Sequence, residues 1–516
     1  MALTPYAPGA SRQSSQMFVS MRRELDDLQR QLATGKKSDD YAGLGLGRAP
    51  SLDARAKLAA IQGYASVISD AEFRVKLMST GIDSLSKASS ALTGILQAGR
   101  YDVQGSDRSL AQLTAEQNLQ MAIDVLNQDV AGRYLYSGRA TTTKPIGYDA
   151  ATLLDGTGSA AGLRTLISER KQADAGDGLG RLALTAPSAT SVSLAETASG
   201  PFGFTIAAAT SSNAGAIAVT NAAGPPVSAS FSVGGTPVAG DTIRVTLGLP
   251  DGTQAQIQLT ARSTVDASDA TGFPIGATAA DTATNLQAAL DAAVREQTGR
   301  SLAAASAMLA GADFFSGTVN TPPPRIAPPP ATATAFAPSD PLDPAFRETV
   351  RFYQGDDSVV VGENATVTAR ASAPVRVDTT QTVGVGARAD EPAFRDMLIG
   401  FGVLAAETFS IDPAQQTLES KRASALGARA SDALTTEPGD IGLASLAVDL
   451  GNASASMASA KERHNAGKLI LEDTVAGIEN ASTEEVAAAI LALQTRMQAS
   501  YQVTSILSNL SLVNYL

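Results

Sequence analysis

Chemistry in this 516-residue chain has few residue types to draw on, because it contains one histidine, no cysteine and no tryptophan. The histidine is His464. An imidazole is a common general base and metal ligand at neutral pH. His464, however, falls in a series with Leu446, Leu450, Ala453, Met457, Ala460, Gly467, Leu471 and Ile478 that follows helical spacing. That is the place of a packed or hydrogen-bonded core side chain, and the sequence clusters no further zinc ligands beside it. Ser84 to Lys87 matches the Ser-x-x-Lys string of β-lactamase-type nucleophiles, but it sits in a helical pattern without companion motifs. Gly43, Gly45 and Gly47 look only superficially like a phosphate-binding loop: they follow a helix, not a strand, and lack the G-x-G-x-x-G spacing. Asp39, Asp40 and the pair Asp356-Asp357 lack the alternating ligand spacing of a calcium loop and are expected in solvated turns. Asn364-Ala-Thr366 forms a glycosylation sequon, although O-linked modification of the Ser/Thr-rich middle is the form expected. The absence of cysteine excludes disulfides, thiolate-bound metals, iron–sulfur clusters and thiol nucleophiles. No catalytic residue, metal or cofactor is expected.

The elements around these residues point to assembly instead. Phe18, Met21, Leu25, Leu28 and Leu32 share one helical stripe, and the helix that carries them is expected from about Ser14 to Gly35, a residue suited to the left-handed stop. A turn-rich loop, Ser38 to Ser51, leads to a much longer helix marked by Leu58, Ile61, Ala65, Ile68, Val75, Met78, Ile82, Leu85, Leu92 and Leu96, with Glu72 and Ser89 interrupting the seam. A third carries Leu110, Leu113, Leu119, Ile123, Leu126 and Val130. On the carboxyl side, the His464 stripe ends near Asn480, and Ser482 with Glu485 forms a capping box for a final helix bearing Val486, Ile490, Leu493 and Met497. Past Met497 its apolar residues spread around the cylinder, so that helix needs neighbours on several sides. The terminal stripes are short relative to the chain they must order. The outermost segments are therefore expected to be poorly ordered in a monomer and to fold when other subunits surround them.

The middle has a different texture. Thr242 to Leu249 and Gln254 to Leu259 alternate apolar and polar residues across Pro250-Asp251-Gly252, a hairpin signal. Asp281 to Leu309 is expected to be helical, with Leu286, Leu290 and Val294 in register; Thr321 to Pro330 reads as an extended linker, and Phe352 to Val385 as a second β-rich stretch. With aromatic residues at 5%, the core must be mainly Ala, Leu, Val and Ile. A net charge of −12 and no basic run argue against a nucleic-acid partner. The longest apolar runs, such as Met397 to Ala406, are about half the ~20 residues a membrane span requires. Met1 to Gln16 lacks a basic start followed by an apolar block. A soluble chain without membrane insertion or a cleaved signal is expected.

Particular motifs resemble the bacterial flagellins and, more closely, the flagellin-like hook–filament junction proteins (hook-associated protein 3). LDDLQRQLATGKKSDDYAGLGLG is similar to that family's first helix and following loop, GRYLYSG at Gly132 to Gly138 to the motif after the third helix, and TSILSNLSLVNYL to the junction proteins' carboxyl terminus. The resemblance covers about 140 residues at the front and about 120 at the back of the sequence. It implies a structural, non-enzymatic subunit of the bacterial flagellum, exported unfolded through the type III channel and located outside the cell. Its implied partners are copies of itself, neighbouring hook, junction and filament proteins, and an export chaperone. The implied fold is mainly α with β-rich insertions: a long antiparallel helical bundle from both chain ends, topped by outer domains from the middle.

The corresponding boundaries are an assembly helix and loop at 1–50, half of the bundle at 51–142, an irregular linker at 143–200 and an inserted outer domain at 201–320. A Pro-rich linker at 321–340, a small β-rich unit at 341–390, the second half of the bundle at 391–480 and a terminal assembly helix at 481–516 complete the chain. Subunit assembly is assigned to Phe18, Met21, Leu25, Leu28 and Leu32 at one end and Ile490, Leu493, Met497, Leu507 and Leu510 at the other. The inserted lobe resembles the outer domains of larger flagellins, which keeps a filament flagellin as the alternative. A secreted coiled-coil adhesin or effector is the more distant one.

Overall fold

A computed structural model describes residues 9–99, 108–158, 160–197, 200–265, 271–318, 322–326, 348–356, 369–435 and 442–513, with side chains from Ser15 to Ile506. The described helices are α1 (Gly9–Thr34), α2 (Arg48–Gln97), α3 (Leu110–Leu126), α4 (Ala150–Asp155), α5 (Leu163–Ala175), α6 (Ala279–Gln297), α7 (Ala303–Ser316), α8 (Pro392–Ala406), α9 (Gln416–Leu434), α10 (Leu443–Glu479) and α11 (Thr483–Val513). The strands are β1 (Asp129–Val130), β2 (Arg133–Tyr134), β3 (Gly156–Thr157), β4 (Ala160–Ala161), β5 (Leu182–Ser188), β6 (Ser191–Glu196), β7 (Thr205–Ser211), β8 (Ile217–Ala222), β9 (Ser228–Val233), β10 (Thr242–Gly248), β11 (Gln254–Arg262), β12 (Gly272–Pro274), β13 (Pro374–Arg376) and β14 (Thr382–Gly384). The fold is mainly helical, the long amino-terminal helix packs with the carboxyl-terminal helices, and the sheets lie in the middle of the sequence. The chain divides into two compact units, one made of Met1–Ala71, Val375–Val383 and Ala455–Leu516, the other of Glu72–Pro374 and Gly384–Ser454.

The terminal unit is built on the expected seams. The 50 residues of α2 would extend roughly 75 Å at ~1.5 Å per residue. Within this unit α2 meets α10: Gly467 leaves room for Ile61, and Tyr64 stacks on His464. The stripe on α10 is buried at Met457, Ala460 and His464 and partly buried at Gly467, Leu471 and Ile478. Small residues at alternate positions let the two backbones approach closely.

In the larger unit, the same α2 seam continues through Val75, Met78, Ile82, Leu85, Leu92 and Leu96, all buried, and α10 contributes Leu446, Leu450 and Ala453. On α3 the expected seam is corrected at its start. Leu110 and Leu113 are exposed, and the buried face begins with Ala111, Gln112 and Ala115 before Leu119, Ile123 and Leu126. Small residues occupy the inner side there because Ser109 caps the helix through the Gln112 amide and Gln112 itself donates to the Glu407 carbonyl oxygen, turning that edge inward. The expected apolar run Met397 to Ala406 forms the carboxyl-terminal part of α8, which packs against α3, α5, α7 and α9 and is buried along almost its whole length. In the Gly132 to Gly138 motif, Tyr136 is fully buried, donates its hydroxyl to the Met78 carbonyl oxygen and meets Phe394 edge-on.

The β lobe of this unit has two four-stranded sheets, ordered β5-β6-β9-β8 and β12-β11-β10-β7. The expected hairpin is present in the expected register: Ile243 faces Leu259, Val245 faces Ile257 and Leu247 faces Ala255. Gly252 takes a positive φ of 80° in the connecting turn, and the Asp251 carboxylate accepts from the Thr253 amide. Leu286, Leu290 and Val294 of α6 are sealed in the same core as the inner residues of both sheets. Residues 143–200, expected as an irregular linker, instead hold α4, α5, β5 and β6. Within Phe352 to Val385, the described residues carry only the short β13–β14 pair as strand. Most of the Pro-rich stretch 321–340 and the Asn364 sequon lie outside the described residues.

Candidate assembly interface

The motifs that suggested chemistry are engaged in structure. His464 is buried, its ring parallel to Tyr64 with centroids 5.4 Å apart, and its Nε2 lies 2.7 Å from the Val377 carbonyl oxygen. A carbonyl only accepts, so Nε2 carries the proton. The Ser84 hydroxyl donates to the Thr80 carbonyl oxygen of its own helix. In the glycine loop, the Asp40 carboxylate accepts from the Gly43 amide, while Asp39 pairs with Arg30. Asp356 accepts from the Arg139 amide, and Asp357 lies outside the described residues. Among the described residues no group of three or more His, Asp or Glu is arranged to hold a metal ion, and no helix is long and apolar enough to cross a membrane.

Among the described residues, burial perturbs several carboxyl groups. Desolvation raises the Glu391 pKa, opposed by Arg370, which donates to both carboxylate oxygens at 2.6 and 2.5 Å. Glu391 also accepts from the Arg388 amide at the start of α8. These are the ties of a buried ion pair fixing a helix end.

The assembly residues assigned from sequence lie on α1 and α11. The two helices run antiparallel. At one end the Ala481 amide donates to the Gly35 carbonyl oxygen, Lys36 bridges Asn480, and the Lys37 amide donates to the Glu479 carbonyl oxygen. At the other, the Phe18 and Tyr501 rings stack with centroids 4.9 Å apart. Between these points the helices run together for roughly 25 Å at ~1.5 Å per residue. Gly35 ends α1 at a φ of 68°, as its type predicted. Ser482 caps α11 by accepting from the Glu485 amide, the first half of the expected capping box, while its own hydroxyl donates to the Glu484 carboxylate.

A polar clamp fixes the Gly35 end. Arg55 grips Glu479 with two hydrogen bonds of 2.7 and 2.5 Å, and Ser51 donates to the same carboxylate. Hydrogen bonding from Arg55, then from Ser51, holds the Glu479 carboxyl down at a pKa of about 2. The Lys37 ammonium donates to the Gly477 carbonyl oxygen, a cation at the carboxyl end of α10.

The structure sorts the assigned residues into three groups. Met21 and Leu493 are buried inside the chain, where Val486 joins them. Phe18, Leu25, Leu28, Ile490 and Met497 are partly buried, and Leu32 is exposed. The side chains of Leu507 and Leu510 lie outside the described residues. The stripe reading missed a second set: Leu491 is 64% exposed and Ile506 58%, with Val503 nearby in sequence. At ~100° per residue, Leu491 and Ile506 point away from Val486 and Leu493. A signal for them was present, since from Val486 to Val513 the only charged residue is Arg496. By contrast α1 carries Arg22, Arg23, Glu24, Asp26, Asp27 and Arg30. A cleft of about 830 Å³ follows α1, and its described lining includes Val19, Arg23, Asp27, Leu28 and Gln31. That mixture of charge and aliphatic carbon offers contact surface and no reactive group.

No protein-family model matches the chain, and no curated protein matches it in sequence.

Proposed function

We propose that this protein is a structural subunit that assembles with copies of itself and with related subunits through its terminal helices, as a flagellar hook–filament junction protein does. The observation that carries this reading is α11: it spends one face, through Val486 and Leu493, on α1 and leaves an almost uncharged second face, with Leu491 and Ile506, open to solvent. A chain of net charge −12 that leaves α11 from Val486 to Val513 with Arg496 as its one charged residue has a surface suited to burial against another helix. Such a face, meeting a different surface on the next copy, propagates helically and does not close. The resemblance of both chain ends to the junction proteins supplies the particular class. On this reading the chain leaves the cell through the flagellar export channel and acts outside it, with no catalytic role.

Immunogold labelling of intact flagellated cells tests the proposal. Label confined to the filament base supports the junction role, and no label on flagella overturns it. The size of the β lobe, with its own sealed core, favours a second reading as a filament flagellin. Label along the whole filament would select that alternative.

A further inference from the structure

Residues Val375–Val383 are the one segment of the terminal unit drawn from the middle of the sequence; the chain before and after them, through Pro374 and from Gly384, belongs to the other unit. They form the tip of the β13–β14 pair, closed by the Val377 and Asp378 amides donating to the Gln381 carbonyl oxygen. Arg376 adds hydrogen bonds to the Asp378 and Thr379 carbonyl oxygens, so the tip holds its shape with its own atoms. Among the described residues, two side-chain hydrogen bonds tie it to α10. Arg463 of α10 donates to the Gln381 side chain at 2.7 Å, and His464 donates to the Val377 carbonyl oxygen at 2.7 Å. Val377 is fully buried. The hairpin thus caps the place where Tyr64 of α2 stacks on His464 of α10.

We propose that this hairpin is a latch: it opens as a unit while α2 and α10 stay folded, and its opening uncovers the Tyr64–His464 contact. Once lifted, the tip keeps only its own few bonds, too few to protect its amides, so the Val377 and Asp378 amides exchange from the open state. What is lost is the burial of Val377 and Val383, the two side-chain hydrogen bonds to α10 and water exclusion around the imidazole, a far smaller set than holds the long helices. Segments held this way open locally at a fraction of the global unfolding free energy. The inference does not depend on what the protein assembles into.

The test uses the full-length chain, whose lack of cysteine makes introduced thiols unique. Hydrogen exchange is followed at the Val377 and Asp378 amides and at the α2 and α10 amides flanking Tyr64 and His464. In the R463A variant the hairpin amides should exchange about fivefold faster, the effect of one lost hydrogen bond of about 1 kcal/mol, with the helical amides unchanged. In a Gln381→Cys, Arg463→Cys pair joined by a short bis-maleimide, hairpin exchange should slow to the rate of the helices. Hairpin and helical amides exchanging in step in the unaltered protein and in R463A, or a cross-link that leaves hairpin exchange unchanged, would overturn the latch.

Discussion

In the β lobe, Phe231, Val245, Leu247, Leu286 and Val294 are each wholly removed from solvent by two sheets and a helix of the same chain. In the α1–α11 pair, of five stripe residues on α1 only Met21 is buried, at 4% exposure, and α11 keeps Leu491, Tyr501, Val503 and Ile506 exposed. Both regions are rich in aliphatic carbon, but the lobe completes its core alone and the helix pair does not. A two-helix seam has open flanks by construction, whereas facing sheets covered by a helix leave none. On the proposed function, the lobe's sequence is answerable to its own fold and the terminal helices' sequence to surfaces of other molecules as well.

The sharpest way to break this comparison is to charge the open face of α11. Leu491→Asp together with Ile506→Asp should abolish assembly, seen as loss of filaments or caps by electron microscopy. Lobe stability should move by no more than about 0.5 kcal/mol, because neither site is buried. Normal assembly by the double variant would return α11's second face to ordinary surface. The reverse experiment is Phe231→Ala, expected to destabilise the lobe by about 3–5 kcal/mol through lost burial and a cavity. Denaturant unfolding followed by lobe probes should shift, with amide protection from Phe18 to Leu32 unchanged. If that protection fell with the lobe, the two regions would not be separable in the way their burial suggests.

How much of this was legible beforehand depends on how strongly side-chain type announces direction. The β10–β11 hairpin could be read residue by residue, since Ile243, Val245 and Leu247 alternate with polar neighbours and Pro250-Asp251-Gly252 leaves one economical turn. The α10 stripe was equally open, His464 included. Residues 143–200 were not, because strands such as β5, with sequence LALTAPS, alternate weakly and small residues fit either face of a sheet. On α3, two exposed leucines outweighed the alanines that are buried. At the candidate interface one helical stripe was found on each terminal helix. Its strongest members, Met21 and Leu493, prove to be internal, while the outward set on α11 hid in a run whose distinguishing mark is missing charge and not added hydrophobicity.

The same division sets opposite responses to acid. Glu479 holds the terminal unit together through Arg55 and Ser51, with its carboxyl depressed from 4.5 to about 2. A depressed carboxyl contributes stability that is complete above its unfolded value and is lost as pH falls through the folded one. Glu479→Gln should therefore cost about 1–2 kcal/mol near neutral pH, discounted because Arg55 is half exposed. The difference from the unaltered protein should shrink from pH 4.5 downward in melts of the terminal helices followed by hydrogen exchange. A constant difference across that window would mean that Glu479 acts through packing alone.

Asp313, on α7 in the larger unit, is the converse case. Burial raises its pKa, opposed in part by Arg170, which is already committed to Asp174 at 2.8 Å. A raised carboxyl is a cost in its charged form, and the cost is relieved as pH falls through the folded value. Asp313→Asn removes that charge at nearly constant shape, so it should stabilise the larger unit by up to ~1 kcal/mol at pH 7, with the gain fading in acid as the native carboxyl protonates. Mild acid should thus loosen the terminal clamp while relieving the cost of the buried charge at Asp313. Chemical denaturation of Asp313→Asn and Glu479→Gln at matched pH values measures both slopes at once. If the two slopes share a sign, the pH response belongs to the whole chain, and the distinction between a self-sufficient lobe and a conditional helix pair loses its electrostatic support.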